Sequence, residues 1–447
     1  MTGRCRITFV AACILAVLRS SAAFAGPAAD ALHLDALGLQ ATLELRNFSH
    51  FHAVAGDHTI RNEARLDIDW QRKLGENFRA SAKLRAQADD GSLVDDVVIE
   101  IPDNRRDRSI LDIAECEIAA RYGNARFYAG RRIYAWGSGD SYNPTDRLNS
   151  HDWRDPVDGH RRDEKLAAWS AAATTTFHDV QLEVVWVPFF SPSRLPTLDS
   201  RWVGLDRKTF NEGFPELAGD YDAIVRLAHA PAPSSDLRHS QVGVRAKTTI
   251  RGVDAALSYY DGYYEFPELD VSTLETFFPR IHVPGLSLST SFGNFELHSE
   301  TAFRIGGDHS TGSRVETVNG VDWFAGPIPL LHVERALLVL EYLRNEPLQS
   351  ESAFTIDIVG RADPLLQEDG IASRLEVVFS ETTSVEFDFL LASTDDPSFY
   401  FGPRVIRKLR DDVKLEAGFD TFFGDRDTSL GTWTDNSRFY SSLVWTL

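Results

Sequence analysis

Apolar and polar residues alternate with a period of two over long stretches of the chain. Residues 37–46, 64–71, 78–89, 385–391 and 413–420 place an apolar side chain at nearly every second position, with polar or charged residues between. Such alternation predicts strands with one apolar and one wet face. Several stretches exceed the about 5–6 residues of an ordinary globular strand and fit the about 9–11 residues of a tilted membrane strand.

The predicted strands are joined by unequal connections. Residues 74–77, 122–125 and 177–180 have the length of tight hairpin turns, whereas residues 89–109 and 191–239 are long, polar and mostly acidic. Alternation of short turns with long loops is typical of outer-membrane barrels. Aromatic clusters near the segment ends fit rings at the water–lipid boundary, although ordinary core aromatics would explain any single cluster. These clusters are Phe189-Phe190, Tyr259-Tyr260, Tyr263-Tyr264, Phe399-Tyr400-Phe401 and Phe422-Phe423.

The chain ends in another alternating stretch. In "SRFYSSLVWTL" one face carries Phe439, Leu443, Trp445 and Leu447. An apolar, aromatic strand that stops at the terminus resembles the C-terminal signal of outer-membrane barrels, although Phe is the usual last residue. The barrel-assembly machinery is the partner that this resemblance implies.

Together these features predict an all-β fold, a single transmembrane antiparallel β-barrel that occupies residues 26–447. The length of the chain predicts about 16 strands, within a range of about 14–18. Short periplasmic turns and long acidic outer loops complete the expected architecture. The lipid of the outer membrane is then the partner of the apolar faces, and the cell outer membrane is the expected location.

The first 25 residues have the features of a secretory signal peptide. Arg4 and Arg6 precede an apolar run over residues 7–18, and Ala-Phe-Ala ends at Ala25. That run is too short for a transmembrane helix. Two of the three cysteines lie in this leader, so Cys116 remains alone and no intramolecular disulfide is expected.

The charge balance excludes some classes of partner. The chain carries 46 Lys and Arg against 66 Asp and Glu, a formal net charge of −20 at pH 7. This argues against a nucleic-acid surface and against an anion-selective pore.

Residues 130–149, "GRRIYAWGSGDSYNPTDRLN", break the alternation. Arg131 falls on the apolar face of its strand, Gly137 and Gly139 permit unusual backbone angles, and Pro144 favours a turn. We interpret this stretch as the end of a strand followed by a structured loop at the rim or lumen of the barrel.

Basic residues in and after this loop stand out in so acidic a chain. Arginines facing Asp140, Asp146, Asp152 and Asp155 would create a transverse field at a constriction and set solute selectivity. Alternatively, the same residues form salt bridges that fix a folded-in loop. Both interpretations stay open at this stage. The pore or constriction candidates are Arg131, Arg132, Trp136, Asp140, Asn143, Asp146, Arg147, Arg154, Arg161 and Arg162.

The opening motif resembles a signature, GRQ-x-x-x-WG followed by NP-x-D, of a broad, largely uncharacterised group of Gram-negative outer-membrane β-barrel proteins. Here it reads "GRRIYAWG" and "NPTD", with Arg132 where Gln is common. "WVPFFSPSRLP" at residues 186–196 fits the group's next motif, and residues 241–269 and 401–440 resemble two of its hairpins. Residues 270–370 match only loosely.

Members of that group are taken to be barrels, often associated with RND-type exporters and with lipids or other hydrophobic compounds. The resemblance therefore implies a non-enzymatic outer-membrane channel or export barrel for small or hydrophobic solutes, with an RND-type system as a partner. A barrel hydrolase and a structural or binding barrel with an occluded pore are the alternatives.

No motif for catalysis or for a cofactor is present in the sequence. His151-Asp152 and His178-Asp179 are adjacent pairs rather than spaced ligands, and no H-x-x-x-H, C-x-x-C, P-loop or G-x-S-x-G motif occurs. We expect no catalytic residue, no metal site and no cofactor. Acidic loop clusters such as Asp89-Asp90 with Asp95-Asp96 leave Ca²⁺ binding open, although solvated loops are the commoner explanation.

Overall fold

The alternating stretches of the sequence form β-strands in the computed structural model. It describes residues 38–54, 58–90, 94, 97, 108–157, 165–196, 200–202, 232–270, 273, 275–306, 312–348, 355–357, 369–393, 396–426 and 428–447. The strands are β1 (Leu39–His50), β2 (Ile60–Lys73), β3 (Phe78–Asp89), β4 (Leu111–Tyr122), β5 (Ala125–Arg132), β6 (Ala168–Phe177), β7 (Val180–Val187), β8 (Gln241–Ile250), β9 (Val253–Tyr263), β10 (Glu268–Asp270), β11 (Glu275–Phe277), β12 (Arg280–Phe292), β13 (Phe295–Gly306), β14 (Arg314–Ala325), β15 (Arg335–Pro347), β16 (Thr355–Asp357), β17 (Asp369–Ser380), β18 (Thr383–Ala392), β19 (Ser398–Arg410), β20 (Val413–Phe423) and β21 (Arg438–Thr446).

Eighteen of the described strands form one closed antiparallel sheet. Each barrel strand pairs with the next one along the chain, and β21 pairs with β1, with Trp445 opposite Leu43. Main-chain hydrogen bonds between Leu447 and Ala41 extend this closure. The predicted β-barrel is confirmed, and the terminal residues Phe439, Leu443, Trp445 and Leu447 lie in or next to the closing strand.

The barrel has eighteen strands rather than about sixteen. The estimate from length assumed too many residues for each strand and its connection. At one end of the barrel the connections are very short: Gly123 and Asn124 join β4 to β5, and His178 and Asp179 join β6 to β7. The predicted tight turns are thereby confirmed. We call this end the turn end and the opposite one the loop end.

Alternation along each strand separates an outer face from a lumen face. On β2, Ile60 and Ile68 are 57 % and 36 % exposed, whereas Arg61 and Asp67 are 7 % and 9 % exposed. Exposed apolar residues therefore point outward, and the buried charges point into the barrel. This is the reverse of a soluble β-protein, whose apolar side chains pack inward.

Two clusters of buried apolar side chains occupy part of the lumen. One joins lumen residues of β6, β7, β9, β12 and β13 to the loop after β5. The other joins lumen residues of β14, β15 and β17–β20 to Trp202 and Trp433. At the loop end β10 pairs with β11 and β16 in a separate small sheet. Within the described residues, no helix is long and apolar enough to cross a membrane. The predicted signal peptide, residues 1–25, lies outside the described residues.

Candidate functional site

The segment that breaks the alternation leaves β5 at Arg132 and enters the lumen. We call residues 133–157 the inner segment. Its Tyr134 and Trp136 side chains are buried among lumen residues of β6, β7, β9 and β12. The Trp136 indole Nε1 donates a hydrogen bond to Oε2 of Glu183 on β7, at 3.0 Å. The inner segment is therefore attached to the barrel wall from within.

Glu300 on β13 fixes the middle of the inner segment. It accepts hydrogen bonds from the backbone N–H of Ser138 at 2.8 Å, and from the N–H and hydroxyl of Thr145 at 2.7 and 2.8 Å. Its side chain is fully buried. A buried carboxylate is costly unless hydrogen-bonded, and these donors meet that requirement.

Glutamates on the next two strands continue this attachment. Glu341 on β15 accepts from the backbone N–H groups of Asp140 and Ser141, at 2.7 and 2.8 Å. Glu316 on β14 forms an ion pair with Arg147. Both glutamates are fully buried. Asp140 thus takes part in this attachment through its main chain.

The predicted Trp-Gly and Asn-Pro motifs fold against each other. The Asn143 amide accepts from the N–H of Gly139 at 2.8 Å and donates to its carbonyl at 2.9 Å. Gly137 has φ of +93°, and an added Cβ would overlap the Asn143 side chain. Asp146 accepts from the N–H of Trp136 at 3.2 Å and pairs with Lys165. The two motifs are therefore one hairpin-like unit inside the barrel.

The end of the inner segment reaches the opposite wall. Asp155 accepts from Arg438 on β21 at 2.6 and 3.1 Å and pairs with Arg61 on β2. Burial alone raises the pKa of Asp155, but the two arginines, Arg438 foremost, outweigh it and hold that pKa below its usual range. Since Glu300, Glu316 and Glu341 hold its middle on β13–β15, the inner segment crosses the lumen.

Asp152 lies among three arginines. Its carboxylate is 2.9 Å from Arg108, 2.8 Å from Arg154 and 3.6 Å from Arg194. Burial alone raises the pKa of this carboxyl, but Arg108 and Arg154 hold it well below its ordinary value. For Asp146, by contrast, burial dominates over Lys165 and raises the pKa. Of the salt bridges predicted for a folded-in loop, that of Arg154 with Asp152 is present, whereas Asp146 pairs with Lys165 and Asp155 with Arg61 and Arg438.

Arg131 points into the barrel because Gly130 redirects the chain. Gly130 has φ of +146°, and an added Cβ would overlap the carbonyl oxygen of Cys116. This backbone lets Arg131 donate to Asp112 at 2.8 Å and to the carbonyl oxygens of Ile113 and Ala167 at 2.7 and 3.2 Å. The misfit of Arg131 with the apolar face of its strand is thereby explained.

The other predicted arginines have different positions. Arg132 is partly exposed, pairs with Glu117 at 2.9 Å and lies over the Tyr128 ring at 4.3 Å. Arg147 and Arg154 are buried within the inner segment. Arg161 and Arg162 lie outside the described residues.

A cavity of about 320 Å³ remains between the inner segment and the wall formed by β1–β4. We call it the lane. Among the described residues that line it none is aromatic, and most carry a charge. Its lining includes Arg46, Arg65, Lys83, Arg85, Arg108, Arg131, Lys165 and Arg194, and also Glu44, Glu63, Asp89, Asp112, Glu115, Asp152 and Asp155.

Opposite charges alternate across the strands of the lane wall. Cross-strand pairs of opposite charge stabilise a sheet. Here the same charged side chains also make the surface of the wall polar. Arg85 makes a two-point contact with Asp67, at 2.8 and 2.9 Å. The pairs in register are Arg46 with Glu63, Glu44 with Arg65, Asp67 with Arg85, Asp69 with Lys83, Arg85 with Asp112 and Lys83 with Glu115.

His151, which the sequence offered as an adjacent pair with Asp152, contacts a different carboxylate. Its Nδ1 lies 2.8 Å from Oε2 of Glu265, and the Ser193 hydroxyl donates to the same oxygen. The hydroxyl therefore faces the carboxylate and not the imidazole, which is the geometry of a fixed ion pair. Burial alone lowers the pKa of His151, but Glu265 outweighs burial and raises it.

The glutamates that hold the inner segment were not predicted from the sequence. Glu183, Glu300, Glu316 and Glu341 each occupy a lumen position of an otherwise regular alternating strand. Such positions are expected to be polar in any water-filled barrel, so no local signal marks these four. Among the described residues, no group of three or more His, Cys, Asp or Glu side chains is placed to hold a metal ion.

Comparison with solved structures returns membrane barrels, although at low similarity. A BenF-like porin from Pseudomonas fluorescens is 11 % identical with a TM-score of 0.49, covering 92 % of this chain and 97 % of that one. OccAB3 of Acinetobacter baumannii is 10 % identical with a TM-score of 0.49, over 92 % and 99 %. Wzi of Escherichia coli, a carbohydrate-binding β-barrel, is 9 % identical with a TM-score of 0.47, over 90 % and 83 %.

No protein-family model matches the sequence, and no curated protein matches it. The class of protein therefore rests on the chain's own features: a closed antiparallel barrel with an apolar outer face and a charged lumen, partly filled by an inner segment.

Proposed function

We propose that the protein is an outer-membrane channel that passes small, polar, charge-bearing solutes through the lane. Membrane insertion is supported by closure of the sheet, since a spanning structure must satisfy every main-chain hydrogen bond internally. It is also supported by the outward apolar residues, such as Phe295 at 45 % and Phe303 at 43 % exposure. Since the tight turns of such barrels face the periplasm, we expect the long connections to lie outside the cell.

The lining of the lane carries the proposal about the solute. A cavity of about 320 Å³ whose described lining residues are mostly charged and include no aromatic ring offers water and ion pairs to a passing molecule. An apolar solute gains nothing from such a surface and displaces its water, whereas a polar solute replaces that water with new hydrogen bonds. The lipid-like solutes implied by the family resemblance therefore receive less support than polar ones.

Planar-bilayer recording of the purified protein tests this function. We expect discrete conductance steps in the wild type and liposome permeability to small charged solutes. Arg85→Gln leaves Asp67 without its main partner, so the reversal potential in a salt gradient should shift toward cation selectivity. Arg407→Gln is the matched control, because Arg407 is exposed on the outer face of β19, near the turn end, and does not line the lane. A folded barrel that conducts no ions in bilayers would contradict the proposal.

The remaining partners are proposals of the same kind. Association with an RND-type exporter follows only from the family resemblance, and co-purification after cross-linking in native membranes tests it. Recognition of Phe439, Leu443, Trp445 and Leu447 by the barrel-assembly machinery is tested by replacing Trp445 and measuring heat-modifiable protein in the membrane.

A further inference from the structure

The apolar outer face of the barrel is interrupted on β13. The outward residues at the two ends of this strand are apolar and exposed: Phe295 and Leu297 at 45 % and 48 %, then Phe303 and Ile305 at 43 % and 42 %. Between them, at the middle of the strand, the outward positions are Ser299 and Thr301.

The neighbouring strand β14 repeats this interruption. Its outward residues are Trp323 and Val321 toward the turn end and Val315 toward the loop end, with Asn319 and Thr317 between them. In the register of the sheet, Ser299 lies opposite Asn319 and Thr301 lies opposite Thr317. The four residues therefore form one continuous patch, which we call the polar patch: Ser299, Thr301, Thr317 and Asn319.

The next strand extends the polar patch on one side. Tyr342 and Arg344 on β15 lie opposite Asn319 and Thr317, and both are exposed. Arg344 pairs with Glu346 at 3.1 Å, on the same outer face. The outer surface of β13–β15 thus offers an amide, hydroxyls, a cation and an anion within a small area.

Hydrogen bonds within the chain satisfy only part of the polar patch. Ser299 Oγ donates to Asn319 Oδ1 at 2.8 Å. In the part of the chain that the structure describes, the exposed Asn319 amide nitrogen has no acceptor. Acyl chains supply none, and leaving a polar group unsatisfied in the bilayer core is unfavourable. Something other than lipid is therefore expected to cover the patch.

We propose that the polar patch is the interface at which a second copy of this chain binds, around a two-fold axis that passes near Asn319. The inference rests on the membrane insertion proposed above. Across a two-fold axis each residue meets the same surface of its partner, so the patch must complement itself. An amide that both donates and accepts, flanked by Arg344 and Glu346 of opposite charge, satisfies that condition.

Cysteine cross-linking in native outer membranes tests this interface. In a Cys116→Ala background, Asn319→Cys should give a disulfide-linked dimer of twice the monomer mass under mild oxidation. Leu84→Cys is the matched control: Leu84 points outward on β3 with 49 % exposure, half the ring of strands away from β14. No dimer is expected from it. Equal cross-linking at the two positions, or cross-linking of Asn319→Cys only to a different protein, overturns the proposal.

A second variant separates the interface from the barrel itself. Native mass spectrometry of wild-type protein in lipid nanodiscs should show a dimer, and Asn319→Leu should shift it to a monomer that keeps its heat-modifiable gel mobility. A wild-type monomer with normal heat modifiability overturns the dimer and leaves the channel proposal standing. Wild-type protein that is not heat-modifiable and remains soluble overturns both.

Discussion

Glu300 Oε1 accepts both the backbone N–H and the hydroxyl of Thr145, although the two residues lie 155 positions apart in the chain. This contact joins the inner segment to β13, on the far side of the lumen from its anchor at Asp155. With its middle and its end fixed in this way, the inner segment separates the filled part of the lumen from the lane. Its attachment should therefore decide how much of the barrel conducts.

Replacing Glu300 by Gln should loosen the inner segment. The amide nitrogen of Gln offers a donor where Ser138 or Thr145 already presents one, so at least one buried N–H loses its acceptor. Such a loss costs about 1–3 kcal/mol. We expect a lower Tm and single-channel records with larger, fluctuating openings. Glu381→Gln, at an exposed turn, is the control and should match the wild type. Unchanged conductance and Tm in Glu300→Gln would show that this contact does not hold the segment.

Gly130→Ala tests how the strand delivers Arg131 to the lane. The new Cβ would overlap the Cys116 carbonyl oxygen and would also occupy a backbone conformation with φ of +146°. We expect destabilisation of about 1–3 kcal/mol and altered ion selectivity, because Arg131 loses its place beside Asp112. Gly293→Ala is matched in having a positive φ, +61°, but open space around the new Cβ. Equal effects of the two substitutions on selectivity would refute the special role of Gly130.

Asp152→Asn should strongly destabilise the inner segment. The change leaves Arg108, Arg154 and Arg194 close together without their shared carboxylate, and breaking a buried pair costs about 3–5 kcal/mol. The lowered pKa of Asp152 means that its stabilisation is present above its ordinary pKa of 3.8 and is lost as the pH falls further, through the lowered value. Thermal unfolding from pH 7 to pH 2 should show a smaller acid loss in Asp152→Asn than in the wild type, because Asp155 and Glu265, whose pKa values are also lowered, still contribute to it. Asp179→Asn, in an exposed turn, should behave as the wild type does.

The His151–Glu265 pair should make stability depend on pH in the opposite direction. Because the folded pKa of His151 is raised, its stabilisation is complete below the ordinary value of 6.5 and is lost as the pH rises through the raised value. Burial alone raises the pKa of Glu265, but His151 outweighs burial and lowers it. The stabilisation that Glu265 contributes is therefore lost only in acid. We expect the wild-type Tm to fall from pH 6 to pH 9, and His151→Gln to remove that fall. His178→Gln, at the exposed β6–β7 turn, is the control. A fall that persists in His151→Gln would assign it to another group.

Prediction from sequence succeeded where the chemistry is periodic. Alternation with a period of two over ten or more residues is typical of a strand with one apolar and one polar face, and β3 was found with its bounds. The stretches at residues 64–71 and 413–420 located β2 and β20 but not their full lengths, Ile60–Lys73 and Val413–Phe423. The predicted number of strands was too low because the length assumed for each strand and its connection was too large. Turns as short as Gly123-Asn124 leave room for more strands in the same chain length.

The candidate site was only partly predictable. The break in alternation after Gly130 marked the inner segment, and its arginines do form ion pairs. The residues that receive the segment, Glu300 and Glu341, lie more than 150 positions away on regular strands. Closure of the barrel brings Glu300 to Thr145 and Glu341 to Asp140. A local sequence pattern cannot predict contacts between residues so far apart in the chain.

Single-channel current during thiol labelling tests the central claim most directly. In a Cys116→Ala background, Lys83→Cys places a thiol in the lane, and Leu84→Cys places one on the outer face of the same strand. A negatively charged methanethiosulfonate should reduce the current of Lys83→Cys channels in discrete steps and leave that of Leu84→Cys channels unchanged. Full labelling of Lys83→Cys, verified by mass, with no change in current would contradict the claim that solutes pass through the lane.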